Sequence, residues 1–597
     1  MPSPVSRRRL LQGVGAAALL TQAPAIVRGS RSLLAQVGDA DAGTGYSLGI
    51  ASFDPAADGV LLWAKPDVCI HPVRWRVALA EYPQQQPTSM AGMRIVASGL
   101  ADDNGDNTVL ADVTGLEPGR HWWYQFETAT GALSAIGRTK TAPADSAERL
   151  RFALTSCQDW QQGWYTLWRD IAEHDLDAVV FVGDYIYEYE SYLPTATRSW
   201  PRIHADADGN PVGECHTIEH YRARYQQYRS DPDLRLAHRR HPWIVVWDDH
   251  EVAGDRWATG AVNHGDNEDP DEIPWEVREA AAITAYFEYL PARGAGPRST
   301  DRPGIHRRLA YGDLADLILL DARTFRSEGV GGTNRNFNPL SNIDEPGISE
   351  GDRTLLGVDQ KAWFKQALRD AGSRWKLIGN PLMVTPLNLA SLPDLLAGPV
   401  AQVTRTPPFD QLPVTVHPDG IPVNTDQWDG YQPERREILG FLRGDGGGGP
   451  VADTVFLSGD IHTGWSSEAH VEQGDAPLGT PVAVEFVCPG ISSENFNERI
   501  GMLTVGTPLP NGSTNTVAPG AMLLNRHVRY VDFDSNGWVL VDVTDERVRA
   551  THRVLVNPAG TDPLVNPIEN PVATGVDALS GAWQVGRGET RLTPVLL

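Results

Sequence analysis

Five apolar runs between residues 150 and 462 end the same way, each leading straight into side chains that bind metals or protons. "LRFALTSC" ends on Cys157, "DAVVFVGDYIY" on Asp184 and Tyr187, and "PWIVVWDDHE" on Asp248, Asp249 and His250. "RWKLIGNP" carries Asn380, and "DTVFLSGDIH" closes on Asp460 and His462. Runs made of continuous Val, Ile, Leu and Phe read as strands covered on both faces, and the segment "WYTLWRDIAEH" (164–174) between the first two has helical spacing. The pattern predicts an α/β core. In such sheets the carboxyl ends of the strands floor the active site, so these distant groups are expected to converge. A single ending of this kind carries little weight. A buried Cys is usually core filling, a Tyr after a strand usually packs, and "WDDH" can cap a helix. Five such endings would need five separate accidents, whereas one metal site accounts for them all.

The donor types divide between two kinds of ion. Carboxylates, an amide oxygen and a phenolate are hard ligands; an imidazole and a thiolate are softer. A phenolate and a thiolate on one ion suggest ferric iron, while Asp249, Asn380 and Asp460 suit calcium or magnesium. A sixth run, "DLADLILLDAR", leads to Arg323 and Arg326, which could grip a phosphate through a bidentate fork. They could equally cap a helix or pair with Asp321. No G-x-S-x-G elbow is present, so the sequence offers no serine nucleophile of that type.

At 597 residues, 41% of them hydrophobic, the chain is too long for one ordinary domain. Residues 41–145 read as a small all-β region: "GVLLWAK", "VRWRVALAE" and "HWWYQFET" alternate apolar with polar residues between Pro, Gly, Asn and Asp punctuation. The stretch "VTGLEPGRHWWYQF" resembles the late strands of a fibronectin type III sandwich. That region serves either as a wall of the substrate cleft or simply as packing. Residues 149–556 form the α/β unit, and 557–597, rich in Pro, Gly and Asn, read as an extension that wraps the surface or trails as a tail.

Residues 1–35 read as an export signal. Arg7, Arg8 and Arg9 precede a mildly apolar stretch, Gly13 to Leu20, and then Ala23-Pro24-Ala25. The arginines before Leu10-Leu11 resemble a twin-arginine signal, which implies the twin-arginine (Tat) export machinery as a partner and a periplasmic or secreted destination. The apolar stretch is far shorter than the roughly 20 residues of a membrane span, so no stable membrane anchor is expected. A net charge of −25, with no basic run to offset it, argues against binding nucleic acid or anionic membranes. The same charge means that an anionic substrate needs positive charge supplied at the site, which metal cations provide. Four cysteines, Cys69, Cys157, Cys215 and Cys488, are too few for a disulfide framework and allow at most a pair such as Cys69 with Cys488 or Cys215.

Taken together, "SCQDW", "GWYTLWRDIAEHDLDAVVFVGDYIYEY", "VVWDDHEV", "LDARTFR", "LLGVDQKAWFKQAL", "WKLIGNPLM", "DQWDGYQPERREIL" and "FLSGDIHTGW" resemble the PhoD family of alkaline phosphatases and phosphodiesterases, in that family's order from about residue 46 to 545. The segment "SLGIASFDPAADGVLLWAK" resembles the entry to that family's N-terminal β-sandwich. The resemblance implies a metallophosphoesterase fold, two sheets sandwiched by helices, with Fe3+ and Ca2+ at the strand ends. It places Cys157, Tyr187 and His462 on iron, Asp184 between the metals, and Asp249, Asn380 and Asp460 on the harder ion, with His250 near the substrate. Where relatives often carry asparagines after "DDHEV", this chain has Ala253-Gly254-Asp255, so Asp255 would supply any ligand from that turn. The implied activity is hydrolysis of phosphate mono- and diesters by metal-activated water. A phospholipase-type diesterase acting on lipid or cell-wall polymers, and a secreted binding protein with a degenerate core, are the alternatives.

Overall fold

The structure is a computed structural model describing residues 45–68, 71–189, 204–205, 211–265, 273–294, 304–330, 345–388, 422–472, 479–499, 514–556 and 575–595. The expected export signal and Cys69 lie outside the described residues. Cys157, Cys215 and Cys488 are buried and free. Among the described residues no helix is long and apolar enough to cross a membrane.

Two large sheets organise the molecule, and each has a parallel centre. In the eleven-stranded sheet, Arg149–Thr155, Ala178–Phe181, Pro242–Val245 and Ile50–Ala56 run parallel side by side. In the seven-stranded sheet, Ala315–Leu319, Trp375–Asn380, Thr454–Ser458 and Ala483–Val487 do the same. Side chains alternate across a strand, so each sheet has an inner and an outer face. Leu317, Leu319, Leu377, Val455 and Leu457 share the central core with Phe152, Leu154 and Val180 of the opposite sheet. Phe152 meets Tyr311 edge-on across the gap, ring centroids 5.1 Å apart.

The outer faces carry helices, which is why these strands are apolar throughout. Phe181 stacks on Trp168 of the helix Thr166–Glu173 and on Trp243 of the neighbouring strand. On the other sheet, Ile318, Ile378 and Phe456 pack under Phe364 and Leu368 of Val358–Asp370 and Ile438 and Leu439 of Gln432–Arg443. The expected α/β sandwich flanked by helices is therefore the observed architecture.

The first and last described segments are tied into this core more closely than their sequences suggest. Val73–Leu79, Ile95–Ala101, His121–Glu127 and Gly137–Lys140 form their own four-stranded sheet. Ile50–Ala56, Gly59–Ala64 and Thr108–Thr114 instead extend the eleven-stranded sheet, with Ser52 paired to Pro242. The reason is burial: Gly59–Ala64 is covered along its whole length and needs neighbours on both faces. At the other end, residues 575–595 do not trail away. Gly575–Gly586 pairs antiparallel with Arg547–Val556, and Val585 and Leu592 are buried against the core.

Trp243 is fully buried, stacked on the His238 ring at 3.7 Å and packed on Trp168 at 4.8 Å. Trp243→Ala should destabilise the protein by about 3–5 kcal/mol, read as a lower midpoint of thermal unfolding; an unchanged midpoint would mean that this cluster does not hold the outer helices.

Candidate metal centre

Several ligand-bearing residues sit in turns that follow strands, where the backbone turns sharply to present them. Cys157, Asp184, Asp255, Asp460 and His462 all have positive φ, between 54° and 64°. Side chains other than Gly, Asn and Asp rarely adopt this region, and such strain gathers at functional sites. Close backbone approach makes the turns possible. A Cβ on Gly183 would lie 2.5 Å from that of Asp248, and one on Gly459 would lie 2.6 Å from Ser156 Oγ.

The turns bring the expected donors together. Three groups of ligand atoms lie within 4.8 Å of one another: Cys157, Asp184 and His462; Asp184, Asp249 and His250; and Asp184, Asp248, Asp249 and Asp460. Asp184 belongs to all three. Tyr187 joins the first group, its hydroxyl 3.2 Å from Asp184 Oδ2 and 3.1 Å from His462 Nε2, and it accepts a hydrogen bond from Ser493 Oγ at 2.8 Å. His462 Nδ1 lies 2.7 Å from the Glu494 carbonyl oxygen, which can only accept. The proton is therefore on Nδ1 and the Nε2 lone pair faces Tyr187 and the donor group. Burial lowers the His462 pKa to about 4, which keeps the ring neutral.

The electrostatics show what the cluster lacks. Burial pushes the carboxyls of Asp184 and Asp460 well above the usual carboxylate range. For Asp249 burial is outweighed by Arg323 and His250, and its carboxyl is held below that range. Burial, together with the Asp184 and Asp460 charges, raises the Cys157 thiol, and burial with Asp184 raises the Tyr187 phenol. Asp184 Oδ1 is buried with no hydrogen-bond partner. A carboxylate oxygen left bare beside a thiol, a phenol and a neutral imidazole is a donor set that cations satisfy, because a nearby cation favours every ionised form.

His250 lines the cavity above this floor with Asp249, Asp255, Asn424, Asp426 and Glu494. Its Nδ1 is 2.8 Å from Glu188 Oε2, and its ring stacks on Tyr187 at 4.3 Å. Burial opposes its charge, but Asp249, Glu188 and Asp184 raise its pKa well above the usual imidazole value.

Two arginines are placed differently from their sequence reading. Arg323 is fully buried and does not line the cavity: it forks onto Asp248, reaches Asp426 Oδ2 at 2.8 Å and lies 3.3 Å from Asp460 Oδ1. Arg326 pairs with Asp426 Oδ1 at 2.6 Å. Both guanidiniums face protein carboxylates, and only the Arg323 backbone N–H meets Asp321. Asn380 ends its strand fully buried; its Oδ1 accepts from Trp428 Nε1 at 3.4 Å, and its amide nitrogen donates to the Leu382 carbonyl.

Several supporting residues escaped the sequence reading. Glu188 orients His250 and also accepts from Gly254 N at 2.7 Å and Asn263 Nδ2 at 3.1 Å. Glu251 accepts backbone N–H groups of Asp184, Tyr185 and Asp248, tying two ligand turns together. Asp426 anchors both arginines, and Gln427 donates to Asp460 Oδ2. The last two lie within the quoted "DQWDGY" stretch, and Glu188 within "DYIYEY", so the motifs marked the places without revealing the roles.

Known proteins place this site in context. The profile of the PhoD-like phosphatase family matches residues 152–552, and that of the family's N-terminal domain matches residues 34–143. The chain belongs to the PhoD-like phosphatase family. It is 28% identical over 572 residues to alkaline phosphatase D of Bacillus subtilis (strain 168), covering 93% of this chain and 85% of that protein. A solved structure of PhoD superposes with a TM-score of 0.71 at 26% identity, covering 93% of this chain and 92% of that one. This PhoD-like phosphatase is accordingly a phosphoric ester hydrolase, as its motifs implied.

Because Glu188 holds the ring that faces the cavity, Glu188→Gln should lower activity about tenfold to hundredfold at an unchanged thermal midpoint; full activity in that variant would remove Glu188 from the site's support.

Proposed function

We propose that this PhoD-like phosphatase is exported and hydrolyses phosphate mono- and diesters at a centre of ferric iron and calcium. The observation that supports it most is Asp184, shared by three donor groups and carrying a bare buried oxygen. Cys157, Tyr187 and His462 would hold iron with Asp184, whereas Asp249, Asp460 and Asn380 would serve the harder ion. Bound cations supply a Lewis acid that lowers the pKa of water and holds charge developing on phosphoryl oxygens.

The chain's own groups do the remaining work. His250 keeps a proton at Nδ1 against Glu188 and presents Nε2 to the departing ester oxygen. Arg323 acts as a positioning residue, holding Asp248, Asp426 and Asp460 in one arrangement despite their mutual repulsion. Export rests on the arginine run and the short apolar stretch after it.

Purified protein should release p-nitrophenol from p-nitrophenyl phosphate and from its bis ester, lose activity reversibly with a calcium chelator, and contain both iron and calcium by elemental analysis. Tyr187→Phe should abolish activity along with any visible charge-transfer band; a variant keeping both would sink the iron assignment. Arg8→Lys combined with Arg9→Lys should leave the protein inside the cell, and undiminished export would remove the twin-arginine reading.

A further inference from the structure

The cavity presents an electrostatic problem for a phosphate ester. Asp184, Asp249, Asp255, Asp426, Asp460 and Glu494 all line it, and Arg499 is the one Lys or Arg among its described lining residues. Arg323 and Arg326 lie close by but are fully buried and committed to Asp248 and Asp426. Arg499 differs from both in lining the cavity, and its side chain keeps 35% exposure.

Its position is set by local structure. Asn495 Oδ1 accepts from Glu498 N at 3.1 Å while Glu498 Oε2 accepts from Asn495 N at 2.9 Å, a reciprocal cap on the helical turn 496–499. Asn495 Nδ2 also donates to the Asp534 carbonyl at 2.6 Å, and Arg499 N to the Asn495 carbonyl at 3.1 Å. On the same turn, Phe496 lines the cavity with its ring backed by Phe533 at 5.2 Å. The turn that carries Arg499 is therefore anchored to Phe533 and Asp534.

We propose that Arg499 is a substrate-binding residue that grips nonbridging phosphoryl oxygens and favours monoester dianions over diester monoanions. A guanidinium fork matches two phosphoryl oxygens at once. A monoester brings the larger negative charge into a cavity lined by carboxylates, so it gains more than a diester from this guanidinium. The inference rests on the phosphoesterase reading of the same cavity.

The test is steady-state hydrolysis of p-nitrophenyl phosphate and bis-p-nitrophenyl phosphate by the parent enzyme, Arg499→Gln and Arg499→Lys, with metal content measured for each. Arg499→Gln should lose about tenfold to hundredfold in kcat/KM on the monoester, mostly through KM, with inhibition by inorganic phosphate weakened to match. The bis ester should change several-fold less, the Lys variant should fall between, and metal content should stay at the parent level. Equal losses on both substrates, no loss on either, or a loss that tracks missing metal would each overturn the proposal. If the parent hydrolyses neither ester, the broader reading fails separately; binding of inorganic phosphate to parent and Arg499→Gln protein then decides the role of Arg499, equal affinities refuting it.

Discussion

Crowded buried negative charge is the constraint that the rest of this molecule accommodates. Asp184, Asp248, Asp249 and Asp460 place carboxylate oxygens within 4.8 Å of one another in the interior. Such a group is tolerated only where cations stand against it, since an unpaired buried charge costs several kcal/mol. Arg323 meets part of the need, touching Asp248, Asp249, Asp426 and Asp460. Among the described residues Asp184 has no arginine of its own, and it is the residue common to every donor group. Its burial makes a strong cation site and would be a liability in any protein not built to hold metal.

The sheets exist to carry that cluster. The parallel strands of one sheet deliver Cys157, Asp184 and Asp249 at their ends, and those of the other deliver Asp460 and His462. Between the sheets lies buried apolar packing that fixes where each strand stops. The positive φ values at the ligands are local strain that only such a scaffold sustains. Glu251 adds a polar brace, receiving N–H groups from two different turns so that Asp184 and Asp248 keep a fixed separation.

Much of this was legible in the sequence, for a physical reason. A strand buried on both faces has to be apolar throughout, so the abrupt change to Cys, Asp, Tyr or His at its end is visible even in one sequence. The helix 166–173, the strand positions and the gathering of ligands all follow from that contrast. Glu188, Glu251 and Asp426 were not legible, because an acid close to a ligand looks the same in sequence whether it faces solvent, binds an ion or orients an imidazole. Arg323 was misplaced for a similar reason: sequence shows that a guanidinium is near the site, but its partners are chosen by tertiary geometry. The strands Ile50–Ala56 and Gly59–Ala64 announced two-sided burial without naming the strand beside them.

The parallel pairing of Ser52 with Pro242, and the antiparallel pairing of Leu154 with Val539, bear on how the chain reaches this state. The large sheet is closed by segments made very early and very late, so a nascent chain emerging from the ribosome cannot complete it until nearly all of the polypeptide is out. Such high contact order slows folding and leaves strand edges open in the meantime. Until their neighbours arrive, early segments carry bare strand edges able to pair with other chains.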